Sequence, residues 1–258
     1  MRILPLSDLH REIYPSRDLG IALEISRPDV VVLAGDINRG ARSVQWAAEA
    51  FEGLPVLYVA GNHEFYGSNI DTVPSAILEA CAQTTNVRYL EREGCIIGGV
   101  RFLGATLWTD FALFGEVQRP IAKLACAESM NDYRAIRVAM EGYRPLRPLD
   151  TERIHSITRK WLHLELLKPF AGKTVVVTHM APSMRSVPLE FSQDIVSSAY
   201  ASNLDSLAGY ADVWIHGHTH SSMDYEIGKC KVIANPCGYL TSGGNENHNF
   251  NANLIIEI

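Results

Sequence analysis

Short, unbroken apolar runs alternate along the chain with segments of mixed polarity. Residues 2–7 (RILPLS), 29–35 (DVVVLAG) and 55–61 (PVLYVAG) are strand-length and show no polar alternation. Such runs read as strands buried on both faces. Between them ARSVQWAAEAFEG has helical spacing and closes at Gly53. Ser16 is placed to cap a further helix running to about Arg27. This βαβαβ order predicts a parallel sheet covered by helices. Farther on, CIIGGVRFLGATLW (95–108) reads as a hairpin around Gly98–Gly99. Residues 109–170 are mostly helical in pattern, with Ile154, Ile157, Trp161 and Leu164 near a 3.6 period. Buried-type strands return at TVVVTH (174–179) and ADVWIHGHTH (211–220). The tail, DYEIGKCKVIANPCGY and ANLIIEI, reads as antiparallel strands around an Asn/Gly-rich loop at 242–251. One sheet is therefore expected to be partly parallel and a second mostly antiparallel, stacked as a sandwich with outer helices.

Composition narrows the class without naming a function. The 258 residues are 47% hydrophobic and 20% charged, which excludes a disordered, collagen-like or coiled-coil chain. With 23 Lys+Arg against 29 Asp+Glu, the net charge of -6 argues against a basic surface for duplex nucleic acid. Five scattered Cys with no CxxC pair imply no disulfide framework and fit a reducing compartment. The N-terminal apolar run is cut off by Asp8, too early for a signal peptide, and no run approaches a membrane span. A cytoplasmic protein with no membrane partner is expected.

The chemistry lies at the strand ends. The first three buried strands lead into Ser7-Asp8-Leu9-His10, Gly35-Asp36 and Gly61-Asn62-His63-Glu64. Two later ones lead into Thr178-His179 and His216-Gly217-His218-Thr219-His220. Ligand sites of open α/β sheets lie at the carboxyl ends of the strands. Asp, Asn and His from five strands would thus converge on one crevice.

These blocks, DxH, GD, GNH[DE], a single His and GHxH in that order, resemble the pattern of the calcineurin-like metallophosphoesterase superfamily. The likeness runs from Asp8 to His220. It implies an α/β four-layer α/β/β/α sandwich of two mixed sheets flanked by helices. The expected organisation is one domain over 1–258 with a mostly helical, cap-like insertion at about 106–170. It also implies two metal ions. Asp8, His10 and His220 resemble ligands of the first, Asn62, His179 and His218 ligands of the second, and Asp36 the bridge between them. His63 resembles a histidine that contacts phosphate and protonates the leaving group. Imidazole and carboxylate suit Mn, the first expectation, or Fe, Zn or Co. Paired ions of this kind lower the pKa of water and clamp an in-line phosphoryl transfer. The expected activity is hydrolysis of a small phosphoester, diester or monoester, by a metal-activated hydroxide. A nuclease of the same superfamily and a non-enzymatic scaffold on this fold stand as alternatives.

One position departs from the family. Three residues after the bridging Asp, where purple acid phosphatases carry a Tyr, this chain has Arg39. Arg39 is a candidate phosphate contact or a solvated loop residue. Trp108, Asn131 and Arg134, between the hairpin and His179, are candidate substrate contacts, with Trp108 alternatively packing a helix on the sandwich. Asn235-Pro236-Cys237-Gly238-Tyr239 resembles an NPxGY turn of some prokaryotic members and is expected to shape the rim. His216 and Glu64 are expected to support ligands rather than bind metal. His155, His163 and His248 are expected at the surface.

Overall fold

The computed structural model describes all 258 residues. The chain begins with β1 (Arg2–Leu6), a loop and a one-turn helix α1 (Leu23–Ser26). Then come β2 (Val30–Ala34), α2 (Arg42–Ala50), β3 (Val56–Val59), α3 (Val73–Cys81) and β4 (Val87–Tyr89). The hairpin β5 (Glu93–Ile97) and β6 (Val100–Ala105) turns at Gly98 and Gly99, with φ of 52° and 80°. Two successive positive φ values are what a two-residue hairpin turn demands and glycine supplies.

Residues beyond the hairpin form α4 (Arg119–Ser129), α5 (Asp132–Ala135), the short pair β7 (Arg137–Val138) and β8 (Arg144–Pro145), and the long helix α6 (Pro148–Leu167). The last part contains β9 (Thr174–Thr178), α7 (Asp205–Ala208), β10 (Val213–His216), β11 (Met223–Ile227) and β12 (Cys230–Ala234). A small hairpin, β13 (Leu240–Thr241) and β14 (Gly244–Asn245), precedes the terminal β15 (Ile256–Glu257). No helix is long and apolar enough to cross a membrane.

The first sheet has the order β15-β1-β2-β3-β4 and the second β11-β12-β10-β9-β6-β5. In the first, β1 to β4 are parallel and β15 joins β1 antiparallel. The second was expected to be mostly antiparallel, but its centre, β12-β10-β9-β6, is parallel. Only its two edge pairs, each closed by a tight turn, are antiparallel. The reason is connection length. β6 reaches β9 through α4 to α6, and β9 reaches β10 through residues 179–212, and such crossovers return the chain in the same direction.

Period-two alternation splits each strand between two cores. Val30, Val32 and Ala34 of β2 face Phe102, Val175, Val177 and Ile215 across the sheets, while Val31 and Leu33 face the helices. Helices α2 and α3 cover the first sheet and α6 covers the second at β6. The result is the four-layer α/β/β/α sandwich, and its doubly buried strands explain the apolar runs.

Two expectations fail. Residues 16–22 do not form a helix, because Gly20 (φ 68°) interrupts the chain and Arg17 is drawn to the Gly238 carbonyl and Asn245. The buried face of α6 is Thr151, His155, Thr158, Leu162 and Leu166, leaving Ile157 and Leu164 about half exposed. Its apolar residues form a broad band, and polar residues that find partners or fit the sheet occupy part of the inner stripe.

Candidate metal centre

Asp8 follows β1, Asp36 follows β2, Asn62 and His63 follow β3, His179 follows β9, and His218 follows β10. Parallel strands bring these ends to one edge of the sandwich. Backbone bonds lace the loops together: the Asp8 amide donates to Gly35 (3.0 Å), that of His10 to Asp36 (3.1 Å), and that of Gly217 to His179 (3.0 Å). Asp8, His10, Asp36, His218 and His220 all have positive φ, between 46° and 69°. Non-glycine residues in that region cost on the order of 1–3 kcal/mol each, strain that clusters at functional sites. Gly61 and Gly217 are required for space. A Cβ at Gly61 would strike the Asp36 carboxylate and the His179 ring, and one at Gly217 would lie 2.5 Å from Asp8 Oδ2.

The donor atoms of Asp8, His10 and His220 lie within 4.8 Å of one another, and so do those of Asp36, His179 and His218. The tautomers can be read from the outer ring nitrogens. His10 Nδ1 faces Glu12 Oε1 at 3.3 Å, and His220 Nδ1 faces Glu246 Oε2 at 2.7 Å. Each ring donates there, so the two Nε2 lone pairs confront each other at 3.1 Å. His179 donates from Nδ1 to the Ala34 carbonyl (2.8 Å), so its Nε2 lone pair faces Asn62 Oδ1 at 3.0 Å. That oxygen is the acceptor end, because Asn62 Nδ2 donates to Asp132 (2.8 Å). His218 Nε2 is buried without a partner.

Acceptors facing acceptors repel unless protons or metal cations lie between them. Burial works against charged rings, yet Asp36 and Asp8 overcome it and lift His179 to about 9 and His220 to about 10. Burial instead drives His218 down to about 3, the neutral form a metal requires. The donor set is imidazole, carboxylate and one amide oxygen, with no thiolate. It fits transition-metal cations of the Mn, Fe, Zn and Co kind.

Side chains behind this layer hold it in place. Glu64 is fully buried and accepts from the amides of Gly61 (2.6 Å), Asp36 (3.0 Å), Ile37 (2.8 Å) and Asn38 (3.3 Å), and from the Tyr58 hydroxyl (2.8 Å). It clamps the loop after β2 to the loop after β3. Burial and the nearby Asp36 charge push its pKa up to about 7. His63 sits between Glu12, 2.8 Å from Nδ1, and the Tyr239 hydroxyl, 3.2 Å from Nε2. Burial opposes its protonation, but Asp36 and Glu12 outweigh that and raise its pKa. Its ring stacks on Tyr66 at 4.2 Å, while Tyr239 stacks on His10 at 4.4 Å and Tyr200 on His218 at 4.5 Å.

Sequence reading missed Glu12, Glu246 and Tyr66, and did not assign Asp132 its part. Glu12 carried a signal, lying two residues past His10 on the same turn. Asp132 and Glu246 are 70 and 26 residues from the groups they serve, so only the fold pairs them.

A cavity of about 350 Å³ opens over the centre. Of the candidate substrate contacts, Asn131 lines it. Arg39 is exposed on the outward turn of its loop and does not. Trp108 is 3% exposed and packs on Phe65. Arg134 turns back to the Glu128 carbonyl, one of the free acceptors at the end of α4. His216 is buried, bonded to Ser186 and Gly217, and outside both metal groups. His163 and His248 are exposed. His155, expected at the surface, is 1% exposed because its Nδ1 reaches the Trp108 carbonyl (3.1 Å) under α6.

A family model described as calcineurin-like phosphoesterase matches residues 1–222. No curated protein sequence matches at a significant level. Among solved structures, phosphopantetheinyl hydrolase from Mycobacterium tuberculosis superposes with a TM-score of 0.66 at 18% identity, over 92% of this chain and 89% of that one. Another chain superposes with a TM-score of 0.53 at 14% identity, over 91% and 90%. At these identities the likeness is one of fold.

Proposed function

The chain belongs to the calcineurin-like phosphoesterase family, and we propose that it hydrolyses small phosphoesters at a dinuclear metal centre. Asp8, His10 and His220 would hold one ion, Asn62, His179 and His218 the other, and Asp36 both. The ions, Mn first among the expected metals, would supply Lewis acidity and a water of lowered pKa.

The remaining work falls to this chain. Glu12 fixes the His63 ring by accepting from Nδ1, which aims Nε2 at the cavity. In-line attack of a water oxygen would form one P–O bond as the ester P–O bond breaks, and His63 would give its Nε2 proton to the departing alcohol oxygen. Glu12 and Asp36 stabilise the imidazolium before transfer. Tyr239, bonded to Nε2 in the resting site, must yield that position to substrate.

The observation that carries the reading is the set of inward-facing lone pairs on His10, His220, His179 and Asn62, each fixed by an outer partner. Elemental analysis of purified protein, then assays of mono- and diesters with each metal, tests it. Two equivalents of metal and metal-dependent ester hydrolysis are expected. Protein that takes up no metal and turns over no ester would refute the proposal and favour a scaffold. Affinity for DNA that falls steeply with salt would favour a nuclease.

A further inference from the structure

The cavity over the metal groups has a mixed lining. Its polar part includes Asp36, Asn62, His63, His218 and His220, and its apolar part Val187, Pro188, Phe191, Val196 and Met130. Most of the apolar lining comes from residues 187–196, at the 3-10 turns Leu189–Phe191 and Ile195–Ala199, which follow His179. Apart from Met130, it does not come from the segment before His179 that carries Trp108 and Arg134. Phe191, which lines the cavity, keeps its ring 50% exposed. No Lys or Arg lines the cavity, while Asp194 and Glu246 do.

We infer that the substrate is a single-phosphate ester of a neutral, apolar alcohol, its apolar group seated against Val187, Pro188 and Phe191. This rests on the phosphoesterase reading above. A metal pair facing Asp8 and Asp36 retains positive charge for one phosphate. A second phosphate or a carboxylate would lie beside Asp194 and Glu246 with no cation to meet it, and would pay for its lost hydration. Nucleoside polyphosphates and polyphosphate chains are thereby excluded. An apolar group loses water contact on the 187–196 wall, which is favourable in proportion to the area covered.

The test is calorimetric titration of the metal-loaded protein with n-alkylphosphonates from methyl to hexyl, with 5-carboxypentylphosphonate as the charged control. These carry a constant head and are not hydrolysed. A Kd that falls at least about 10-fold from methyl to hexyl is expected, since even one methylene in an apolar pocket is worth about that much. The carboxylate analogue should bind no better than methyl. Phe191→Ser, on an exposed turn, and the isosteric Val187→Thr should each flatten the series. Their metal content, measured alongside, should match wild type. A flat series in wild type, or an equally steep one in both variants, overturns the inference. Turnover of 4-nitrophenyl phosphate or bis(4-nitrophenyl) phosphate by the same preparation separates the two failures. With turnover present, a flat series removes only the apolar wall. With none under any metal, the phosphoesterase reading falls and this inference with it.

Discussion

Glu64→Gln isolates the clamp beneath the metal centre without changing side-chain size. Oε1 accepts from Ile37, Asn38 and Tyr58, and Oε2 from Gly61 and Asp36. Glutamine has one acceptor oxygen and one donor nitrogen. With the nitrogen at the Oε2 position, the Gly61 and Asp36 amides are orphaned and face a third donor. The reverse placement orphans Ile37 and Asn38 while Tyr58 can turn to accept. Either way two buried amides lose their partner, at about 1–3 kcal/mol each. Relief of repulsion between Glu64 and Asp36 offsets part of this, leaving a net loss of about 1–5 kcal/mol. For a chain of this size that corresponds to a fall in Tm of about 3–15 °C. Differential scanning calorimetry on wild type and variant, metal-free and loaded, reads it directly. The orphaned amides flank Asp36 and Asn62, so metal affinity should also weaken by about 10–100-fold. A Tm within about 2 °C of wild type, with metal affinity unchanged, would refute the clamp.

Three further outcomes follow from the same geometry. Asp36→Asn should deplete both metals, and full occupancy by elemental analysis would contradict its bridging position. Glu12→Gln should keep both metals yet lower kcat about 10–100-fold on an ester with a poor leaving group, because His63 loses its charged partner. An unchanged kcat there would remove Glu12 from the mechanism. Burial lowers the pKa of His155 below its ordinary 6.5, although Asp110 opposes the shift. The unfolded chain then binds the extra proton first. Stability is complete above pH 6.5 and declines as pH falls below it. Urea unfolding at pH 7.5 and 5.5 should show that decline, reduced in His155→Gln, and equal slopes would exclude His155 as its source.

Legibility followed sequence locality. β1, β2, β3, β9 and β10 could be read because a strand buried on both faces needs an unbroken apolar run, and each carries one. The blocks from Asp8 to His220 could be read because each donor lies within a few residues of a strand end. The inner face of α6 could not, since Thr151, His155 and Thr158 are polar and only their partners explain their burial. Substrate contacts before His179 were equally opaque: Trp108 and Arg134 have suitable chemistry, but one packs inward and the other caps α4.

By itself the sequence carried the family pattern, the Asp, Asn and His blocks at the strand ends and the candidate ligand set, because these depend on residue type and short spacing. The tertiary structure decided how those atoms are aimed and what surrounds them. Glu12, Asp132 and Glu246 set tautomers and rotamers through bonds that close only when distant segments meet. The apolar wall at 187–196 acquires its meaning in the same way, from the metal groups it faces rather than from its own residues. Hydrogen-bond direction and cavity shape are properties of juxtaposition, and no local pattern encodes them.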